Sequence, residues 1–168
     1  MLILSLPYNK GPVVTHSVNP DSFGFLVADI HRLFRSTMDR AIAEAGLGVT
    51  PGEARTLVHA ARAGAVRQNV LAERMGVEAM TLSGYLDRLE ARALVRRLND
   101  PRDRRAKLVE LTDAADSVLE AIGAMAAEMR KKAAGSLSQS EWESLLEQLK
   151  LVRANLAVAS EKPAEAGL

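Results

Sequence analysis

Apolar residues recur at intervals of three and four along two long stretches of the chain. The first stretch follows Asn19-Pro20, a pair that can cap a helix and open its first turn. The second stretch is interrupted by Gly135, a residue type that commonly ends a helix. Because this spacing places the apolar side chains on one face of a helix, we predict long amphipathic helices within 19–46 and 113–157.

Three further helix starts carry local capping signals. In a capping box, a Ser or Thr side chain accepts a hydrogen bond from the backbone N–H three residues later, and a Glu at that later position accepts one in return. Such boxes fit Thr50 with Glu53 and Ser138 with Glu141. Thr112 is predicted to cap the helix that follows it.

Two short helices, predicted over 68–75 and 79–92, have the spacing of a helix-turn-helix. This motif needs a small residue where the helices cross and a turn residue that tolerates a positive φ, and Ala72 and Gly76 meet these needs. The apolar residues that can fix the angle between the two helices are Leu71, Met75, Val77, Leu82 and Tyr85. The alternative is an ordinary αα-hairpin.

The second of these helices presents small polar side chains on its outer side, while Leu82, Leu86 and Leu89 face inward. Such side chains near a helix N-terminus can reach base edges and phosphates in the major groove of DNA. The candidate DNA contacts on the two helices are Gln68, Asn69, Met80, Thr81, Ser83, Gly84 and Arg88. For each residue alone, the alternative is a solvated surface position.

The next segment is predicted to form a β-hairpin with a long basic tip. Strand-like runs at 94–98 and 106–111 flank Asn99-Asp100-Pro101, whose residue types favour a turn. The basic residues of the tip are Arg102, Arg104 and Arg105. We predict that they contact DNA, and the alternative is a solvated, mobile loop.

The net charge of +1 conceals a strong local imbalance. Residues 88–107 hold eight basic and three acidic side chains, whereas residues 1–87 are balanced and residues 108–168 are acidic. Positive charge concentrated in one short segment is typical of a local contact with a polyanion such as DNA.

Composition narrows the class of protein further. Only 4% of the 168 residues are aromatic, which favours helices over large sheets. The chain has no cysteine and its three histidines match no metal-ligand spacing, so we expect no metal and no cofactor. No apolar run approaches the ~18 residues of a transmembrane helix, and we expect a cytoplasmic protein without membrane contact. An enzyme is disfavoured because no nucleophile or phosphate-loop motif is recognisable.

Three segments carry a family resemblance: Leu-Ala-Glu-Arg-Met-Gly-Val at 71–77, Leu-Asp-Arg-Leu-Glu-Ala-Arg at 86–92, and Asp-Pro-Arg-Asp-Arg-Arg-Ala-Lys-Leu-Val-Glu-Leu-Thr at 100–112. They resemble the MarR family of bacterial winged-helix transcription regulators, and the likeness covers roughly residues 23–156. The resemblance implies a mainly α fold (an α+β winged helix), with a winged helix-turn-helix lobe at 50–112. The first helix and the last two would form the dimerisation region.

By resemblance, we expect a homodimer that binds a pseudo-palindromic operator in double-stranded DNA, with a recognition helix in the major groove and a wing in the minor groove. Members often repress a nearby operon until a small phenolic or anionic ligand releases them. The resemblance also makes Asp103 and Arg105 a bracing pair and leaves Arg102 or Arg104 to enter the minor groove. Its peroxide-sensing branch uses a cysteine, so that mechanism is excluded here. Ala93 stands where the family commonly has glycine, and strain is expected there.

The last helix carries a regular apolar seam that needs a partner. Its residues, the predicted dimer interface, are Trp142, Leu145, Leu149, Val152 and Leu156. We predict an obligate homodimer, with an N-terminal arm over 1–18 packed across the partner and a flexible tail over 158–168.

A ligand pocket is predicted where the dimerisation helices meet the winged lobe, because ligands favour junctions between rigid units. The residues expected to line it are His31, Phe34, Arg35, Met38 and Leu57. The alternative is a packed, dry junction in a constitutive DNA-binding dimer without an effector.

Overall fold

The computed structural model describes residues 19–161, apart from the side chains of Arg104 and Glu161. The predicted arm and residues 162–168 of the predicted tail lie outside this range. The described residues fall in two compact units, which divide between Arg35 and Ser36. Their elements are α1 (Phe23–Glu44), α2 (Pro51–Ala63), β1 (Val66–Arg67), α3 (Gln68–Met75), α4 (Ala79–Ala91), β2 (Val95–Asp100), β3 (Asp103–Leu111), a 3₁₀ turn (Asp113–Ala115), α5 (Asp116–Ala134) and α6 (Gln139–Glu161).

Helix α1 begins three residues later than its sequence signals predict. The side chain of Asn19 accepts a hydrogen bond from the backbone N–H of Asp21 at 2.9 Å, and the Ser22 N–H donates to the Asn19 carbonyl at 3.3 Å. These bonds form a turn ahead of the helix, so Pro20 is not its first residue.

Helix α2 starts with the predicted capping box. The Thr50 backbone N–H donates to Glu53 Oε2 at 2.9 Å, and the Glu53 N–H donates to Thr50 Oγ1 at 3.3 Å. This helix, α3 and α4 bury their apolar faces in one core together with the sheet. Its fully buried side chains include Leu57, Leu71, Leu82, Leu86, Leu89, Val95 and Val109.

The sheet is larger than the sequence predicts, because a third strand is present and the hairpin strands are longer. Strand β1, which the sequence pattern does not predict, pairs antiparallel with β3 through Val66 and Val109, giving the order β1-β3-β2. Strands β2 and β3 pair as far as Asp100 with Asp103, past a register shift at Asn99. The predicted long tip is therefore a short turn, since backbone pairing extends through residues that seemed turn-prone.

Thr112 does not cap the helix that follows it, contrary to the prediction. Its hydroxyl donates to the carbonyl of Ala93, and its N–H donates to the Leu94 carbonyl at 3.1 Å. Ala93 has φ 55°, the one positive φ outside glycine among the described residues. A side chain in this conformation costs about 1–3 kcal/mol, so the strain expected from replacing glycine here is confirmed.

Helices α5 and α6 end and begin where the sequence predicts. Gly135 follows α5 with φ 54°, and the Ser138 N–H donates to Glu141 Oε2 at 2.7 Å in the second capping box. Helix α6 then continues to Glu161, four residues into the predicted tail.

Candidate nucleic-acid interface

The turn between α3 and α4 has the geometry of a helix-turn-helix. Gly76 adopts φ 62° and ψ 38°, and its N–H donates to the Glu73 carbonyl at 3.0 Å. The Val77 N–H donates to the Ala72 carbonyl at 3.1 Å, and Ala72 is 5% exposed within the core. The predicted helix-turn-helix is confirmed, and its left-handed turn is formed by the glycine that the sequence places there.

Helix α4 separates its inner and outer faces as predicted. Leu82, Leu86 and Leu89 are all 0% exposed, whereas Met80 is 83% exposed. The other outer residues are exposed or half-buried: Thr81, Ser83, Gly84 and Arg88. The outer face therefore offers short side chains that would let DNA approach the backbone closely, and contact with DNA stays a prediction.

A cationic cleft of about 460 Å³ lies between the start of α3, the start of α4 and the hairpin. It brings together predicted contacts from both regions, and its polar lining consists of Arg67, Gln68, Asn69, Asp103, Arg105 and Lys107. Sequence reasoning missed Arg67 and Lys107 as members of this group. Lys107 lay within the basic segment and could have been included, but only the fold carries Arg67 to the hairpin.

The N-terminus of α3 has no side-chain cap. Arg67 occupies the N-cap position, and its side chain makes no capping hydrogen bond. The first backbone N–H groups of an α-helix lack partners within the helix and favour anions. The cleft thus combines cationic side chains with donors suited to a phosphate group.

In the hairpin, which we call the wing, Asp103 and Asp100 each accept hydrogen bonds that shape the turn. The bracing role that the family resemblance gives to Asp103 and Arg105 stays a prediction. Asp103 accepts a hydrogen bond from the backbone N–H of Arg105 at 3.0 Å, so it shapes the turn through the main chain. The interstrand brace is Asp100, which accepts from the Arg102 N–H at 2.8 Å and from Arg67 Nε at 2.6 Å. These bonds hold the pKa of Asp100 below its ordinary value, with the Arg102 N–H the main cause.

Much of the positive charge in residues 88–107 is neutralised within the fold. Arg96 pairs with Glu110 at 2.8 Å, and Arg97 pairs with Asp87 at 2.8 Å and also with Glu90. Arg88 pairs with Glu53. Two wing residues without an ion pair in the described part of the chain are Arg102 and Arg105, both exposed. Their guanidinium groups remain available for a polyanion.

The predicted dimer seam lies on the solvent-facing part of α6. Leu145 is 38% exposed, Leu149 45% and Leu156 57%, while Trp142 and Val152 are half-buried. The indole N–H of Trp142 is buried without a hydrogen-bond partner. An apolar row this open is typical of an interface, and its role in dimerisation stays a prediction.

The predicted ligand-pocket residues differ in exposure. His31, Phe34 and Arg35 are exposed on α1, whereas Met38 is 8% exposed and Leu57 is fully buried. Their role in ligand binding stays a prediction. Across residues 19–161, no group of three or more acidic or histidine side chains is arranged to hold a metal ion. No helix in the same range is both long and apolar enough to cross a membrane.

Comparison with known proteins gives one consistent family. The MarR family model matches residues 49–107. The HTH-type transcriptional repressor NicR of Pseudomonas putida is 35% identical over 79 residues, which are 47% of this chain and 50% of that protein. The match thus spans about half the length of this relative.

Solved structures extend the likeness to the helices outside that region. Transcriptional regulator PA3341 is 37% identical, with a TM-score of 0.67 over 81% of this chain and 98% of that one. A probable transcriptional regulator from Pseudomonas aeruginosa is 32% identical, with a TM-score of 0.60 over 79% and 97%. A mutant MarR from E. coli complexed with operator DNA is 22% identical, with a TM-score of 0.60 over 77% and 91%, and shares the fold.

Proposed function

The chain belongs to the MarR family of transcriptional regulators, and from this premise we propose that it is a repressor that binds a pseudo-palindromic operator as a homodimer. Proteins of this family are DNA-binding regulators and not enzymes. The repressor role is supported by the likeness to NicR, which is described as a transcriptional repressor. Homodimers match the two-fold symmetry of such operators, because each protomer reads one half-site.

The observation that carries the proposal is the common position of the recognition helix and the wing around one cationic cleft. Arg67, Arg105 and Lys107 line this cleft beside Ala79, the first residue of α4. In our proposal, the outer face of α4 enters the major groove and the cleft holds the intervening sugar-phosphate backbone. Arg102 and Arg105 then reach the adjacent minor groove, whose negative potential favours arginine.

Replacing both Arg102 and Arg105 with Ala is expected to weaken operator binding by about 1–3 kcal/mol per lost contact. Each lost phosphate contact should also flatten the dependence of log affinity on log salt by about 0.9 units. The probe is the duplex that the wild-type protein selects from a random-sequence library long enough for two half-sites one helical turn apart. Affinity is measured by fluorescence anisotropy at several salt concentrations.

A matched control removes the same charge elsewhere. Lys131 and Lys132 are exposed in the last turn of α5, so their double replacement with Ala also lowers the net charge by two per protomer. This control should leave affinity and salt dependence nearly unchanged. Equal weakening by both variants would mean that net charge alone drives binding and would remove the wing from the mechanism.

We further propose that a small aromatic or anionic ligand releases the protein from DNA. A ligand that binds more tightly to the DNA-free conformation than to the DNA-binding conformation shifts the population away from the DNA-binding state. We expect at least one member of a panel of small aromatic acids to raise the melting temperature and weaken binding to the selected duplex. A panel that changes neither quantity would favour the alternative, a constitutive DNA-binding dimer.

A further inference from the structure

One row of side chains along the recognition helix, α4, contacts the start of α2 and the loop before it. The row consists of Tyr85 and Arg88 on one side of α4 and of Arg92, the C-cap residue that directly follows the helix. Arg92 donates to the carbonyls of Gly48 and Leu47, the latter at 3.3 Å. The recognition helix is therefore held by polar contacts as well as by its buried leucines.

Tyr85 packs directly on the first turn of α2. A Cβ at Gly52 would lie 2.5 Å from Tyr85 Cζ, so the glycine is what allows the ring to come this close. The guanidinium carbon of Arg88 lies 5.5 Å from the centre of the same ring, within the range of a cation–π contact. The ring thus supports the Arg88 side chain from one side.

Glu53 holds the Arg88 side chain from the other side. The Glu53 side chain is 5% exposed, and its carboxylate has two donors: Oε2 accepts from the Thr50 N–H, and Oε1 accepts from Arg88 Nε. Burial by itself raises the pKa of Glu53, but the bonds from Arg88 and Thr50 outweigh it and hold the pKa below its ordinary value. A buried carboxylate is retained in this way only when it is paired and hydrogen-bonded.

The geometry points to Glu53 as a positioning residue that aims Arg88 at DNA, an inference that rests on the proposed function. Glu53 takes only the Nε hydrogen of Arg88, and the Arg88 side chain remains 57% exposed. The two terminal nitrogens of the guanidinium remain to form the planar fork that suits a phosphate or a guanine edge. Fixing this fork beforehand lowers the entropy lost when it binds.

The test separates two roles of Glu53: accepting the Thr50 N–H in the capping box and holding the Arg88 side chain. Glu53→Gln keeps a carbonyl that can accept from the Thr50 N–H, because Gln also serves in a capping box, but it removes the charge that holds Arg88. Thr50→Ala does the reverse, since it weakens the cap and leaves the Glu53–Arg88 pair in place. The experiment compares Glu53→Gln, Arg88→Ala, the double variant and Thr50→Ala on the selected duplex, with the folded fraction followed by circular dichroism.

We expect Arg88→Ala and Glu53→Gln each to weaken binding roughly 5- to 150-fold, the range of a single lost DNA contact. Each should also lower the salt slope by up to about one unit if the contact is a phosphate. The double variant should bind no more weakly than Arg88→Ala, because both changes remove the same contact. Thr50→Ala should lower the melting temperature and leave affinity and salt slope unchanged while the protein is folded.

Three results would overturn the inference: wild-type affinity in Glu53→Gln, wild-type affinity in Arg88→Ala, or additive losses in the double variant. A loss of affinity in Glu53→Gln without the salt slope of Arg88→Ala would show that Glu53 supports only the fold. A wild-type protein that selects no duplex at all would instead overturn the proposed function itself.

Discussion

The double substitution Leu149→Asp with Val152→Asp is expected to convert the proposed homodimer into monomers. Both residues lie on the apolar seam of α6, where Leu149 is 45% exposed in the isolated chain and Val152 is half-buried. At a dimer interface, each new carboxylate would be buried without a partner, and an uncompensated buried charge costs about 3–5 kcal/mol. Because each protomer carries two such carboxylates, the proposed dimer would lose affinity by a factor of at least about 10⁴. Sedimentation velocity measures the change directly.

The matched control places the same two carboxylates, three residues apart, on another side of α6. Ala154 and Ala157 are exposed and lie away from the seam at 100° per residue, so Ala154→Asp with Ala157→Asp should sediment as the wild type. Far-UV circular dichroism checks that both variants keep their helices. A folded dimer in the Leu149 and Val152 variant would refute the seam as the interface.

Leu86→Ala is expected to cause the second large effect, a loss of about 2–5 kcal/mol in the free energy of unfolding. Leu86 lies on the inner face of the recognition helix and is 0% exposed, so truncation leaves a cavity beneath the surface that we propose contacts DNA. The total free energy of unfolding of a domain of this kind is only about 5–15 kcal/mol. Urea denaturation at fixed protomer concentration measures the change as a shift in midpoint.

Met80→Ala is the control on the same helix. Met80 is 83% exposed, so its truncation should change the free energy of unfolding by less than about 0.5 kcal/mol. Equal loss of stability in the two variants would contradict the division of α4 into a buried and an outer face.

The sequence by itself determined the features that depend only on residues a few positions apart along the chain. The capping boxes at Thr50 and Ser138 and the left-handed glycine at Gly76 were predicted correctly, because each depends on contacts across one helical turn. The inward leucines of α4 were also predicted, since period alone separates the faces of a helix. The family resemblance, which the comparisons confirm, supplied the overall fold class.

Only the tertiary structure decided which polar groups became partners across long stretches of chain. Arg67 meets Asp100, and Arg88 meets Glu53, although each pair is more than 30 residues apart in sequence. Strand β1 has two residues and no pattern of its own, so it exists because β3 offers it backbone partners. Thr112 likewise binds the Ala93 carbonyl instead of capping the next helix. The sequence contains many carboxylates and arginines of the same chemistry. Which carboxylate pairs with which arginine depends on the distances that core packing sets between them.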